Sequence, residues 1–340
     1  MSEMMTEIRW GMIGAGSVTE VKSAPAFNKV PHSRLVAVMR RDAAKAEDYA
    51  RRHGVAKWTA SAGDLITDPE VNAVYVATPP STHAQYAIDA MEAGKPVYVE
   101  KPMALNTREC QKMLEVSRKT GMPLYVAYYR RTLPAFLKVK ELIDNGEIGG
   151  VMTVGLKLFK QARERNQRPE EMSWHIRPDI AGAGYFYDLA SHQFDYLDFL
   201  FGPIDSVRGM AVNQAGLYPA EDTVAAAFRF ANGISGCGHW CFVADKSGEA
   251  DLIDITGDKG RITLSSFRHG EVVMENHEGI HKFRFVNPEN IQFNLIGQVV
   301  SALRGEGDCA STGESAARTS RVLEDVVSEY YSQKPHEKNR

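Results

Sequence analysis

The feature that most limits the fold of this chain is a series of short apolar segments between residues 8 and 127. They read IRWGMI, LVAVM, AVYVA, VYV and LYVA, and the stretches between them carry apolar residues at helical spacing, as in ECQKMLEVSRKTG. Short buried strands that alternate with amphipathic helices are typical of a parallel sheet covered on both faces. We therefore predict a doubly wound α/β domain over residues 1–126.

After residue 127 the pattern changes to longer extended stretches. Helices are predicted at 134–145, 185–201, 291–303 and 314–331, and the extended segments are VMTVGLKLF, DSVRGMAVNQ, TVAAAFRF, ISGCGHWCFV, EADLIDITG and GRITLSS. Most of these segments follow one another with no helix long enough to cross over between parallel strands, which favours antiparallel pairing. Residues 127–340 are therefore predicted to form an α+β domain with a largely antiparallel sheet and helices on one face.

The amino-acid composition argues against some classes of binding partner. The 340 residues are 44% hydrophobic and carry a formal net charge of −3, so no overall basic field would attract nucleic acid or an anionic membrane. Only four cysteines are present, which fits a reducing compartment, and no window approaches about 18 apolar residues. We expect a cytoplasmic protein whose chemistry is local.

The first apolar segment runs into a glycine turn, Gly14-Ala15-Gly16, followed by Ser17 and Val18. In a dinucleotide-binding turn the first glycine permits the tight bend, and the second lets the backbone approach a pyrophosphate at a helix N-terminus. The third glycine of that pattern is replaced by Thr19, and glycine turns after strands also occur without any ligand. Its position at the start of the alternating series favours cofactor binding by Gly14, Gly16, Ser17 and Val18.

The second apolar segment ends in Arg40 and Arg41. An acidic residue at this place usually binds the ribose hydroxyls of NAD, whereas an arginine accommodates the 2′-phosphate of NADP. NADP is therefore favoured and NAD remains possible, while the alternative is that both arginines are simply solvated.

Two later segments end in polar loops, Thr78-Pro79-Pro80 before a helix that carries His83, and Glu100-Lys101-Pro102. Ligands of open parallel sheets lie beyond the carboxyl ends of the strands, so both loops are expected beside the cofactor, with Lys101 at the nicotinamide end. An ammonium group there can stabilise the oxyanion that forms during hydride transfer, and Glu100 can support the lysine or the cofactor ribose. Taken alone, a lysine at a strand end is usually a surface residue.

The predicted helix YFYDLASHQFDYLDFLF contains one polar stripe. At about 100° per residue, Asp188, His192 and Asp195 fall within about 60° of each other. The stripe is either the solvent side of an amphipathic helix or a unit in which a carboxylate orients an imidazole for proton transfer.

The segments GMIGAGSV, ATPPSTH and VYVEKP, with the later Asp-x-x-x-His, resemble the Gfo/Idh/MocA oxidoreductase family through nearly the whole chain. The resemblance implies an N-terminal Rossmann domain, a second domain with an open-faced sheet used in oligomer contacts, and bound NAD or NADP. The paired arginines and YYRRTLP look similar to NADP-dependent sugar reductases of this family. Because the resemblance implies oligomer contacts through the second domain, a homo-oligomer, dimer or tetramer, is expected.

The resemblance also implies roles for individual residues. Asp188 and His192 match the family's GGG-x-x-x-D-x-x-x-H segment, with Ala183 at the middle glycine, so His192 would donate or accept the proton and Asp188 would be its partner or a substrate contact. Arg131 matches an arginine near the cofactor, although Tyr129 stands where the family often has asparagine.

Trp174 lies where some sugar-reducing relatives carry Trp-Arg against the cofactor, but His175 follows it here, and Trp174 could instead be a core residue.

A metal site is not expected. Alternation would place Cys237, His239 and Cys241 on one strand face, but no fourth ligand at a suitable spacing is evident. The motifs predict an oxidoreductase that interconverts a carbonyl and a secondary alcohol on a sugar or cyclic polyol, with NADP preferred. Two alternatives stay open: a glycosidase or lyase that uses NAD as a transient oxidant, and a regulator that binds NADP without catalysis.

Overall fold

The computed structural model describes residues 5–167, 172–268 and 270–333. The chain divides into two compact units. The first comprises the chain up to Leu133 together with Asn287–Ala317, and the second comprises Pro134–Val286 with the chain from Arg318 onward. The sequence predicted one boundary near residue 126, whereas the segment Asn287–Ala317 belongs here with the first unit.

The first unit contains a parallel sheet. Its strands are β1 Ile8–Ile13, β2 Ser33–Met39, β3 Lys57–Thr59, β4 Ala73–Val76, β5 Val97–Val99 and β6 Leu124–Val126. Within the described residues the order is β3-β2-β1-β4-β5-β6, so the order reverses between β1 and β4. The doubly wound prediction is confirmed, and the edge strand β3 is the member that the sequence reading missed.

The second unit contains a larger, mostly antiparallel sheet. Its strands are β7 Val151–Gln161, β8 Ile204–Val212, β9 Thr223–Phe230, β10 Ser235–Ala244, β11 Ala250–Gly257, β12 Gly260–Leu264, β13 Glu271–Asn276 and β14 Gly279–Arg284. The order in the described part of the chain is β14-β13-β12-β11-β7-β10-β9-β8. Antiparallel pairing is confirmed for most neighbours, but β7 and β10 at the centre pair in parallel.

Helices complete both units. They are α1 Ser17–Val21, α2 Ala24–Phe27, α3 Ala43–His53, α4 Ala62–Thr67, α5 His83–Glu92, α6 Thr107–Thr120, α7 Pro134–Asp144, α8 Pro178–Ala181, α9 Tyr185–Phe201, α10 Phe293–Leu303 and α11 Gly313–Gln333. The α9 bounds agree with the predicted helix. Among the described residues, no helix combines the length and apolar character needed to span a membrane.

The two sheets are buried differently, as their sequences predict. Every residue of β4 and β5 is buried, because helices cover both faces of a parallel sheet. In β9 burial alternates, and Phe228 on the inner face packs against Phe194 of α9 with ring centroids 5.5 Å apart. The second sheet therefore has one face covered by α9 and one open face.

Candidate functional site

The glycine turn after β1 is shaped by contact with the end of β4. Gly14 has φ +101°, and a Cβ there would lie 2.8 Å from the carbonyl carbon of Ala77 and the backbone nitrogen of Thr78. At Gly16 an added Cβ would meet nothing within 4 Å of it among the described atoms. Gly14 is thus required by the packing of the turn, while Gly16 leaves the open space that close approach of a pyrophosphate needs.

Thr19, which replaces the third glycine of the pattern, has a structural role. It is buried, and its hydroxyl donates to the Gly16 carbonyl at 2.8 Å. Its own carbonyl accepts from the Tyr49 hydroxyl at 2.9 Å. These bonds fasten the turn to itself and to α3.

The two arginines after β2 lie in different surroundings. Arg40 is half-buried, and its Nη1 donates to the Ala15 carbonyl at 2.9 Å, which holds the guanidinium against the glycine turn. Arg41 is exposed, as is Ser17 at the start of α1, and Val18 is half-buried.

His83 joins the loops that follow β4 and β5. Its Nε2 lies 2.7 Å from the Thr78 carbonyl and its Nδ1 lies 3.0 Å from the Pro102 carbonyl. Burial lowers the pKa of His83, although the two carbonyl contacts act in the opposite direction. Both ring nitrogens are thus engaged within the protein, while Thr78 and Pro79 remain half-buried.

Glu100 is a buried carboxylate with defined partners. Its Oε1 accepts from the Tyr75 hydroxyl at 2.7 Å and from Gln292 Nε2 at 2.6 Å, and its Oε2 lies 3.3 Å from the backbone nitrogen of Lys101. The Tyr98 hydroxyl donates to Gln292 Oε1 at 2.8 Å and so fixes which end of the amide faces Glu100. Burial, reinforced by the Glu100 charge, raises the pKa of Tyr75 well above its usual value, so its hydroxyl remains a donor.

These contacts anchor the start of the loop that carries Lys101. The Lys101–Pro102 peptide bond is cis, and the Lys101 side chain is half-buried. Gln292 had no sequence signal, since it lies 192 residues from Glu100 in the chain.

Arg131 is also buried, with 4% of its surface exposed, in a short 3₁₀ segment Tyr129–Thr132. Its Nη1 donates to the Ala310 carbonyl at 2.9 Å. The segment Asn287–Ala317 therefore supplies an acceptor for this arginine as well as the amide that binds Glu100.

In the second unit, the polar stripe of α9 does not face solvent. His192 is 4% exposed and Asp195 is fully buried, while the Asp188 side chain is 17% exposed. The His192 ring lies 6.0 Å from the Phe267 ring, in an edge-to-face arrangement. The alternative of a solvated helix face is therefore wrong, because the second sheet and its loops pack around most of α9.

His175, whose role the sequence left open, lies beside Asp188. Its Nε2 is 3.9 Å from Asp188 Oδ2, and its Nδ1 is 2.7 Å from the Ser173 hydroxyl. Trp174 is half-buried and stacks on the His175 ring with centroids 3.7 Å apart. The carboxylate of Asp188 thus has a second imidazole as a neighbour, in addition to His192 one turn away on α9.

Gly184, directly before α9, packs against another segment of the protein. The Gly184 amide donates to Glu221 Oε1 at 2.9 Å, and a Cβ at Gly184 would lie 2.9 Å from the Ala220 Cβ. The close neighbour of this glycine is the Ala220-Glu221 segment.

The strand face formed by Cys237, His239 and Cys241 is exposed or half-exposed, and Trp240 between them is buried with its indole nitrogen 2.6 Å from Gln193 Oε1. Across residues 5–167, 172–268 and 270–333, no group of three or more histidine, cysteine or acidic side chains is arranged to hold a metal ion.

Comparison with known proteins assigns most of the chain to the same family that its sequence motifs resemble. Residues 8–128 match the model of the oxidoreductase family with an NAD-binding Rossmann fold, and residues 136–263 match the GFO/IDH/MocA C-terminal domain. Oxidoreductase P35 of Formosa agariphila is 38% identical over 94% of this chain and 98% of its own length.

Two relatives have more specific names. A 1,5-anhydro-D-fructose reductase of Ensifer adhaerens is 27% identical over 90% of this chain and 91% of its own. A scyllo-inositol 2-dehydrogenase (NAD(+)) of Bacillus subtilis is 30% identical over 81% of this chain and 79% of its own.

A solved structure of levoglucosan dehydrogenase, in complex with NADH and levoglucosan, superposes with a TM-score of 0.87 at 22% identity, and the match covers 96% of this chain and 98% of that one. This likeness shows a shared fold. Together with the family models and the 38% identical relative, it establishes that the chain belongs to the Gfo/Idh/MocA family of oxidoreductases with an NAD-binding Rossmann domain.

Proposed function

We propose that this protein is an NADP-preferring oxidoreductase that interconverts a carbonyl and a secondary alcohol on a sugar or cyclic polyol. The relatives named as an anhydrofructose reductase and an inositol dehydrogenase support this substrate class. The observation that carries the proposal is the loop after β5, where the buried, hydrogen-bonded Glu100 anchors the backbone that presents Lys101.

The catalytic roles follow from the chemistry of the side chains. When bound, the nicotinamide cofactor supplies or accepts the hydride. The Lys101 ammonium donates a hydrogen bond to the substrate oxygen and stabilises its negative charge, and His192 gives or takes the proton. The negative charge of Asp188 favours the protonated form of the His192 imidazole.

Several residues around the first sheet would hold the cofactor. The glycine turn would receive the pyrophosphate, and His83 would position the loops after β4 and β5. The proposed cofactor-binding set is Gly14, Gly16, Ser17, Val18, Arg40, Arg41, Thr78, Pro79, His83, Glu100, Lys101, Arg131 and Trp174.

The preference for NADP depends on Arg40. One of its N–H groups is used by the Ala15 carbonyl, so the guanidinium is held beside the glycine turn with further donors for a phosphate. Dissociation constants for NADPH and NADH would test this. Arg40→Ala should weaken NADPH binding roughly tenfold or more with little effect on NADH.

Arg34→Ala is the matched control, because Arg34 is exposed at the other end of β2. If the protein binds NADPH and NADH equally well, and Arg40→Ala leaves both affinities unchanged, Arg40 does not select NADP.

Lys101→Met tests the catalytic proposal. Turnover should fall roughly 10²-fold or more while NADPH still binds, given the usual contribution of acid–base groups. Lys112→Met on the exposed side of α6 should keep normal turnover. Normal turnover in Lys101→Met would remove this lysine from the mechanism.

Lys101 and His192 should also act in one chemical step. In that case the double variant Lys101→Met/His192→Asn should lose much less kcat than the product of the losses in the two single variants. Fully additive effects would assign the two residues to separate steps. Stoichiometric formation of reduced cofactor in these assays would exclude both the transient-oxidation lyase and the non-catalytic regulator.

We also propose a homo-oligomer, dimer or tetramer, on the strength of the family resemblance. The second sheet exposes Met210 and Ile280, at 66% and 67% of their surface. Light scattering after size exclusion would test it, and a monomer at working concentration would contradict it.

A further inference from the structure

A cavity of about 310 Å³ lies in the second unit beside α9. Its apolar wall is formed by Tyr185 and Leu189 of α9 with Phe242 and Phe267. Leu189 precedes His192 by three residues, and Phe267 is the ring that packs edge-to-face on His192. Two of the lining residues, Leu189 and Phe267, are therefore neighbours of His192, to which we assign proton transfer.

The size and lining fit a single sugar ring. Ligand pockets usually measure roughly 300–1,000 Å³, so this cavity is at the small end of that range. Aromatic and aliphatic side chains can contact the C–H faces of a ring, while a few polar groups fix its orientation.

Two basic side chains at the end of β7 also line this cavity. Lys160 is half-buried, and none of the described carboxylates forms an ion pair with its ammonium group. The Arg163 guanidinium lies over the Tyr185 ring, 4.7 Å from its centroid. This stacking orients the guanidinium without neutralising its charge.

Among the described residues that line the cavity, Glu249 is the acidic one, and its carboxylate already has partners within the protein. One of its oxygens accepts from the Gln161 backbone amide at 3.2 Å, and the other lies 3.7 Å from the Arg268 guanidinium. The cavity therefore keeps a net positive charge from Lys160 and Arg163. Such a site favours an anionic ligand over a neutral one.

We propose that the substrate is a sugar acid whose carboxylate is bound by Lys160 and Arg163, with its ring against Tyr185 and Phe242. This inference rests on the proposed function and narrows its substrate class from sugars and polyols to monosaccharides with a carboxylate. A phosphate monoester offers the same anionic oxygens, and a single sugar ring with a carboxylate is the smaller of the two for a cavity of this size.

The test compares matched substrates with wild-type protein and two lysine variants. The pairs are glucose with glucuronate, galactose with galacturonate and mannose with mannuronate, and glucose 6-phosphate is the phosphate arm. Cofactor reduction is followed with NADP⁺ and NAD⁺. Lys160→Met removes one of the two cations in the cavity. Lys157→Met makes the same change on the exposed part of β7.

We expect kcat/KM for at least one acid to exceed that for its neutral partner by roughly tenfold or more. Lys160→Met should reduce this preference roughly tenfold, mainly through KM, since the lost contact is made by the bound substrate as well as by the transition state. Lys157→Met should behave as wild type toward both the acids and the neutral sugars.

Other outcomes separate this inference from the proposed function. If neutral sugars are oxidised as well as their acids, the sugar-acid assignment fails and the proposed function stands. A preference for glucose 6-phosphate over glucuronate overturns the carboxylate assignment in favour of phosphate.

If no substrate reduces the cofactor, the proposed function fails, and calorimetry with the three acids still decides the inference. Binding of an acid that Lys160→Met weakens roughly tenfold supports it, and equal binding or no binding overturns it.

Discussion

Gln292 offers a sharp test of how the loop carrying Lys101 is anchored. Its side chain is 1% exposed, accepts from the Tyr98 hydroxyl at 2.8 Å and donates to Glu100 Oε1 at 2.6 Å. Leucine has nearly the same volume and neither polar group. Gln292→Leu therefore removes both hydrogen bonds while leaving packing almost unchanged.

The expected loss of stability is large for one side chain. A hydrogen bond to a charged group contributes about 1.5–3 kcal/mol, and a buried hydroxyl that loses its partner costs about 1–3 kcal/mol. The added apolar contact of leucine offsets about 1 kcal/mol of this. Gln292→Leu should thus lower the unfolding free energy of the first unit by about 3 kcal/mol.

Urea unfolding followed by circular dichroism provides the measurement. The control is Gln85→Leu, because Gln85 is exposed on α5 and, within the described part of the chain, its amide bonds only Asp89 at the surface. That change should stay within about 0.5 kcal/mol of wild type. If Gln292→Leu were equally mild, Glu100 would not depend on this amide and the proposed anchoring would be refuted.

Three further predictions concern the glycine turn, a buried histidine and a half-buried thiol. Gly14→Ala should weaken NADPH binding at least roughly tenfold, because a Cβ at φ +101° would lie 2.8 Å from the backbone of Ala77 and Thr78, just after β4. The control Gly54→Ala, with φ +65° and no described atom within 4 Å of an added Cβ, should bind normally. Because burial lowers the pKa of His83, the unfolded chain takes up a proton that the folded chain does not. Its stabilising contribution is therefore complete above about pH 6.5 and declines as the pH falls. The stability difference between wild type and His83→Gln, from urea unfolding, should be smaller at pH 5.5 than at pH 7.5, and an unchanged difference would contradict the assignment. Burial raises the pKa of Cys309 to about 11, so iodoacetamide at pH 8 should modify it slowly in the folded protein and rapidly in urea; equal rates would count against this burial.

In the first sheet, the strands that the sequence predicted are those with strong burial. Segments such as AVYVA are apolar throughout because both of their faces are covered. β3 and β14 lie at sheet edges, where side chains are half-buried or exposed, so their apolar signal is weak. The interior strand β13 was missed as well, although Val272 and Met274 within it are buried. The parallel pairing of β7 with β10 was also missed, since it joins segments about 80 residues apart and depends on how the rest of the sheet is arranged.

In the candidate site too, residues in local motifs were predicted, whereas residues brought close by folding were not. Gly14, Lys101 and His192 were identified because each belongs to a short local pattern with its own chemical meaning. His175 was noticed but not interpreted, because its approach to Asp188 depends on how the loop before α8 folds back toward α9.

The hydrogen-bond partners of a motif residue cannot be located from the motif alone. A buried carboxylate such as Glu100 must have hydrogen-bond donors, so the EKP sequence implies that partners exist but does not say where in the chain they are. One of them, Gln292, comes from the segment Asn287–Ala317, which also supplies the acceptors for Tyr98 and Arg131. A fragment that ended near the predicted boundary at residue 126, or at Leu133, would leave these buried groups unsatisfied. The first unit is therefore physically complete only with this returning segment, because hydrogen bonding within the unit requires groups from both parts of the chain.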